Sequence, residues 1–211
     1  MLHTESVDSN TFELLKTMMA NTFLDGFFLV GGTNIALRIG HRKSIDLDLF
    51  SDKPFDTTQL KLHLKDTYAF ETRYESRNTL KGEIRGVFVD CMSHQYPLVK
   101  PVEHIEGIRM ASLEDVVARK LNAIVNDGTR IKDFIDVAYL SSRMSLGDMC
   151  AAHCKKYNEK NEILVRKGLC YFQDIEYEEP LMMYDGTYRW RNVEKRLAAM
   201  VLEPDKVFPS W

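Results

Sequence analysis

Long apolar runs are absent from this sequence: no window approaches the ~20 consecutive apolar residues that a membrane-spanning helix needs. The opening MLHTESVDSN has neither the basic start nor the apolar core of a signal peptide. A cytoplasmic protein without a membrane partner is the expectation. Cysteine is also scarce. Cys91, Cys150, Cys154 and Cys170 show no C-x-x-C spacing, which suits a reducing compartment and makes disulfides an unneeded assumption. Cys150 and Cys154 flank His153, but cysteines four apart on a helix are read as small buried side chains and are given no role. Basic charge is lacking too. With 28 Lys and Arg against 31 Asp and Glu the formal net charge is -3, so no overall positive field attracts nucleic acid and any such partner needs a local patch. Two stretches offer one, Arg38, His41, Arg42 and Lys43 in LRIGHRK, and Lys155, Lys156, Lys160, Arg166 and Lys167 further on. The second reads equally well as a solvated helix face.

What is present is enough apolar residue, 45% of 211, to build a core for one domain or for one domain with a helical extension. Phe12, Leu15, Met19 and Phe23 repeat at helical spacing after Asn10, which is positioned to cap them with Glu13 reaching back. GFFLV reads as a strand, Gly31-Gly32 breaks it, and a short helix is expected from Thr33. SIDLDLF alternates, with Ile45, Leu47 and Leu49 on one face and Asp46 and Asp48 on the other. DTTQLKLHLKD is helical through Leu60 and Leu64, and two further strand regions follow, with Lys81-Gly82 as a turn and Asp90 closing the run VFV. Beyond Ser112 the pattern turns helical, opening with the capping boxes Ser112 to Asp115 and Ser145 to Asp148. Near residue 180 an acidic stretch, DIEYEEPLMMYDG, has poor periodicity. The expectation is therefore an α/β (α+β) core with a mixed sheet over residues 1–110 and a helical region over 111–211 packing on it, with the seam between Pro101 and Ala111.

Two features stand out against this frame. Asp46 and Asp48 are two apart on a strand, so their carboxylates point the same way and raise each other's pKa unless a cation lies between them. A strand whose outer face meets water explains most D-x-D matches. Here Asp90 supplies a third carboxylate on another strand, and three such groups hold two divalent ions for phosphoryl displacement. The Gly31-Gly32-Thr33 turn at a helix start offers bare N–H groups to phosphate. The second feature is Lys120, which falls in the apolar stripe Leu113, Val116, Val117, Leu121 and Ile124. Such a lysine either snorkels, pairs with an acid, or reaches a phosphate. On the next helix Ile131, Phe134, Ile135 and Ala138 form the buried stripe and Asp133 and Asp136 the opposite side. By itself that side reads as solvated, with an Arg130–Asp133 pair.

The order G-G, D-x-D and a later strand aspartate resembles the DNA polymerase β-like nucleotidyltransferase superfamily. More narrowly, VGGTNIALRIGHRKSIDLDLF, KLNAI and RIKDFIDVAYL are similar to the AbiEii/AbiGii abortive-infection toxin family. One departure is Lys132, where that family shows arginine before the aspartate; lysine keeps the charge but cannot grip an anion with two parallel N–H groups as arginine does. The resemblance implies a Mg²⁺-dependent enzyme, with two ions and Mn²⁺ as an alternative, that moves a nucleoside monophosphate from an NTP to an acceptor hydroxyl. It implies Asp46, Asp48 and Asp90 as metal ligands, with Asp90 near the acceptor hydroxyl as ligand or base. Gly31, Gly32 and Thr33 would cradle phosphates, supported by Arg42 and Ser44. Lys120 would contact nucleotide, and Asp133 would be the last functional acid, with Asp136 as a second candidate. RNA or tRNA is the expected acceptor, with a cognate antitoxin as partner. A small antibiotic-like acceptor, a D-x-D glycosyltransferase and a silent NTP-binding module are the alternatives.

Overall fold

The computed structural model describes residues 1–159, 161–178, 181–183 and 189–211. Lys160 of the second basic stretch, and Glu179, Pro180, Tyr184, Asp185 and Gly186 of the acidic one, lie outside the described residues. The chain divides into two compact units, Met1–Ala111 and Ser112–Trp211.

The first unit is built on a seven-stranded mixed sheet. Its strands are β1 (Phe28–Leu29), β2 (Leu47–Ser51), β3 (Glu71–Ser76), β4 (Thr79–Ile84), β5 (Val87–Ser93), β6 (Glu103–Ile105) and β7 (Ile108–Met110). They lie in the order β3-β4-β5-β2-β1-β7-β6. β2 runs parallel to β5 and β1 parallel to β7, while the other neighbours are antiparallel. The helices of this unit are α1 (Ser9–Met19), α2 (Gly31–Ile39) and α3 (Thr57–Tyr68). One face of β4, β5 and β2 carries Leu80, Ile84, Val89, Cys91, Leu47 and Leu49, all fully buried in one core with Leu15, Met18, Leu60 and Leu64.

Local chemistry explains where these elements depart from the sequence reading. α1 starts two residues early because Asp8 accepts a hydrogen bond from Asn10 N at 2.8 Å and is the cap that Asn10 was expected to be. Phe23 lies beyond the helix, half exposed and stacked on His63. β2 begins only at Leu47, and Ile45 is exposed instead of sharing the buried face. Lys81-Gly82 sits inside β4; the turn is Arg85-Gly86, both at positive φ. Asp90 therefore lies mid-strand, with Cys91, Met92 and Ser93 still to follow. Residues 103–110 form a hairpin that completes the sheet beside β1. Arg109 of that hairpin donates to the carbonyls of Met19, Leu24 and Phe27 at 2.7 to 2.9 Å, tying the hairpin to the segment between α1 and β1.

The second unit is helical: α4 (Leu113–Asn126), α5 (Ile131–Leu140), α6 (Leu146–Tyr157), α7 (Glu162–Gly168) and α8 (Trp190–Leu202). Both capping boxes form, Ser112 accepting from Asp115 N and Ser145 from Asp148 N at 3.1 Å each. Lys156 does not belong to a solvated face. It is buried and pairs at 2.7 Å with Asp115 of α4, tying α6 to that helix.

Candidate active site

The backbone at Gly31 decides the geometry around Asp48. Val30 N donates to Asp48 O at 2.9 Å, which locks the end of β1 to β2. Gly31 follows at φ +69°, a left-handed conformation that side chains resist. A β-carbon here would overlap the Asp48 carboxylate outright. α2 therefore opens at Gly31 and not at Thr33, with no side chain capping it. A β-carbon on Gly32 would in turn meet the guanidinium of Arg42. The glycine pair is the space into which an acid and a base are packed.

Thr33 and Ser44 turn inward. Thr33 Oγ1 donates to the Asp46 carbonyl and stands 2.8 Å from Ser44 Oγ. These bonds hold the segment before β2 against α2, leaving Asp46 itself exposed. Arg42 is buried, and its Nη1 donates to Lys43 O at 3.1 Å. The LRIGHRK stretch is thus not an open basic groove. Arg38 binds Asn34, Glu103 and Ala111 O at 2.9 to 3.0 Å, and Lys43 binds Glu5 O at 2.8 Å.

Across the sheet Asp48 and Asp90 are direct partners in the parallel β2–β5 ladder, so both side chains share the face opposite the core. Asp90 also pairs at 2.7 Å with Lys81, its cross-strand partner on β4. The sequence placed Lys81 in a turn, and only the ladder register reveals it. Cys91, beside Asp90, points to the core, and burial pushes its thiol up to about 12, which removes it as a nucleophile at neutral pH. Among the described residues no three His, Cys, Asp or Glu groups form a ready metal cage. A magnesium ion does not require one: it is typically held by one or two carboxylates with water and substrate phosphate. An adjacent pair of carboxylates beside an uncapped glycine-rich helix start fits that donor set.

Lys120, Asp133 and Asp136 come together within the second unit. Lys120 Nζ lies 2.5 Å from Asp133 and 2.9 Å from Asp136, and all three are buried. Asp133 and Asp136 thus occupy an interior face, not the solvated one expected from periodicity, and Asp133 pairs with Lys120 in place of Arg130.

Comparison with known proteins agrees with this architecture. Residues 13–101 and 94–205 match the family described as nucleotidyl transferase AbiEii toxin, type IV toxin–antitoxin system. The chain belongs to the AbiEii nucleotidyltransferase toxin family. An uncharacterized relative, aq_aa25 of Aquifex aeolicus, is 29% identical over 197 residues, 90% of this chain and 94% of that one. A candidate nucleotidyltransferase from H. pylori superposes with a TM-score of 0.59 at 17% identity, over 94% of this chain and 96% of its own. JHP933 from Helicobacter pylori gives 0.58 at 18%, over 94% and 93%. The antibiotic-resistance factor ANT(2'')-Ia gives 0.50 at 16%, over 77% and 90%. These structures share the fold with this AbiEii-family chain, a nucleotidyltransferase fold with a mixed sheet followed by helices. No helix among the described residues is long and apolar enough to cross a membrane.

Proposed function

We propose that this AbiEii-family protein transfers a nucleoside monophosphate from an NTP to a hydroxyl of RNA, tRNA included, as a cytoplasmic toxin with a cognate antitoxin. The observation that supports it is the packing of the Asp48 carboxylate against Gly31 at the uncapped start of α2, with Asp90 alongside in register. We assign the nucleotidyltransferase core to residues 1–110 and a supporting helical region to 111–211.

In this reading the N–H groups of Gly31, Gly32 and Thr33 receive the β and γ phosphates at the positive end of α2. Arg42 and Ser44 hold that loop, Ser44 through Thr33. Asp46, Asp48 and Asp90 would hold two Mg²⁺ ions, or Mn²⁺, which would neutralise the triphosphate and lower the pKa of the attacking hydroxyl. The acceptor oxygen forms a bond to the α phosphorus, the bond from that phosphorus to the bridging oxygen breaks, and pyrophosphate leaves. Asp90 takes the acceptor's proton or passes it to water. Within the helical region we assign Lys120 as a nucleotide ligand and Asp133 as the acid that holds its ammonium.

The test is to incubate wild-type and Asp48→Asn protein with Mg²⁺, each α-labelled NTP and total bacterial RNA. Label on RNA with wild type alone is the expected result. An Asp48→Asn protein that labels RNA at the wild-type rate refutes the site. Wild-type protein that labels a small hydroxylated compound but no RNA refutes the acceptor.

A further inference from the structure

The acid face of the sheet continues outward past Asp90. Register places Asp48, Asp90, Lys81 and Tyr74 in one row across β2, β5, β4 and β3. Directly paired residues share a face, so this row spans three inter-strand steps, about 14 Å. Phe88 lies two residues before Asp90 on β5 and thus on the same face. The opposite face of β2, β5 and β4 is core, while β3, an edge strand exposed on both faces, is met there only by Lys61 of α3, which reaches Glu75 at 2.7 Å. On the acid face Tyr74 is 54% and Phe88 38% exposed. Single exposed aromatics need no explanation. Two on the face that also carries the aspartate assigned to the acceptor side do.

The charges complete the pattern. Arg73, at the register shift in β3, lays its guanidinium 4.3 Å over the Phe88 ring and holds Glu83 at 2.6 Å. Glu83 is thereby neutralised, and the stacked guanidinium extends the flat surface. Arg77 and Arg85 stand exposed in the two turns at opposite ends of β4, and among the described residues neither has an ion pair. The face thus carries flat aromatic groups beside the Lys81–Asp90 pair and an arginine without an ion pair at each end, against one exposed carboxylate, Glu71, opposite Glu83. A polyanion with unstacked bases fits it, whereas a cationic small molecule meets two free arginines.

We infer that the β3–β5 face is the acceptor platform, on which a single-stranded RNA end stacks its bases on Tyr74 and on the Arg73 guanidinium that Phe88 supports, and lays its phosphates toward Arg77 and Arg85. This delivers a terminal hydroxyl to Asp90. The inference rests on the nucleotidyltransferase reading for its direction of delivery, but its binding test needs no turnover. Sheet faces with exposed aromatics are a known way to hold single strands, and each base–aromatic stack contributes on the order of 1–3 kcal/mol.

The experiment measures anisotropy of a labelled, mixed-sequence single-stranded octaribonucleotide, with calorimetric NTP affinity in parallel. Phe88→Ala and Tyr74→Ala should each weaken oligonucleotide binding by about 5- to 150-fold. Phe88→Trp and Tyr74→Phe should retain it. Arg77→Glu and Arg85→Glu should each flatten the salt dependence. NTP affinity should stay unchanged in all six. Wild-type protein that fails to bind the oligonucleotide, or alanine variants that bind it within twofold of wild type, would overturn the platform. RNA labelling that still requires Asp48 would then leave the nucleotidyltransferase reading standing. Conversely, oligonucleotide binding that needs Phe88 in a protein whose labelling ignores Asp48 would keep the platform and discard that reading.

Discussion

Lys120 and Asp133 meet 2.5 Å apart inside the helical unit, and Asp136 closes the same ammonium from a second side at 2.9 Å. Two carboxylates one helical turn apart share a single cation in a place from which water is nearly excluded. Lys120→Met leaves both acids buried without it, so it should lower unfolding free energy by about 3–5 kcal/mol in urea titration. Lys120→Arg should lose much less. If Lys120→Met were as stable as wild type yet inactive, the lysine would serve nucleotide alone and not the fold.

Gly31→Ala has two costs at once. The left-handed backbone penalises a side chain by about 1–2 kcal/mol, and the new carbon displaces the Asp48 carboxylate. The melting temperature should fall by a few degrees while RNA labelling falls at least about 100-fold, since small misplacements at a reacting centre are expensive. Gly32→Ala meets only the far end of Arg42 and should lose less of both.

Metal removal should separate activity from stability. Asp90 is balanced by Lys81, and no three-ligand cage is built in among the described residues. Chelation should therefore abolish labelling, and added Mg²⁺ or Mn²⁺ restore it, with the thermal midpoint moving by less than about 1 °C. A large drop in midpoint on chelation would reveal a structural ion.

His153 gives the protein an acid-side weakness. Burial in α6 lowers its pKa below 6.5 against a smaller upward pull from Glu159, and neither ring nitrogen has a hydrogen-bond partner among the described residues. The unfolded chain takes up the proton first as pH falls, so the stability present above about pH 6.5 is lost as pH drops toward the folded-state value. His153→Leu should flatten urea midpoints between pH 7 and pH 5. Equal slopes in both proteins would assign the loss to other groups.

The parts of this architecture that local chemistry encodes were legible in the sequence. Leu47-Asp48-Leu49 and Val87 to Val89 alternate strongly, and Ser112 and Ser145 announce their helices with acids three residues on. The β4–β5 turn was not legible, because Lys81-Gly82 and Arg85-Gly86 are the same type of dipeptide and only pairing decides between them. The interior position of Asp133 escaped for a related reason. Its partner Lys120 lies on another helix, and periodicity assigns acids outward unless the cation is already known. β6 and β7, three residues each, are too short for any period to register. The Asp48–Asp90 adjacency lay between: each strand was readable, their parallel register was not.

The contact between Gly31 and Asp48 also binds their histories. While position 48 keeps its acid, position 31 admits only glycine, because the space is filled and the backbone is left-handed. Once the acid shrinks, selection against a β-carbon loses its steric half. Relatives that have abandoned catalysis should therefore show substitutions at both positions together, and the glycine becomes a mark by which working and silent copies are told apart in sequence alone.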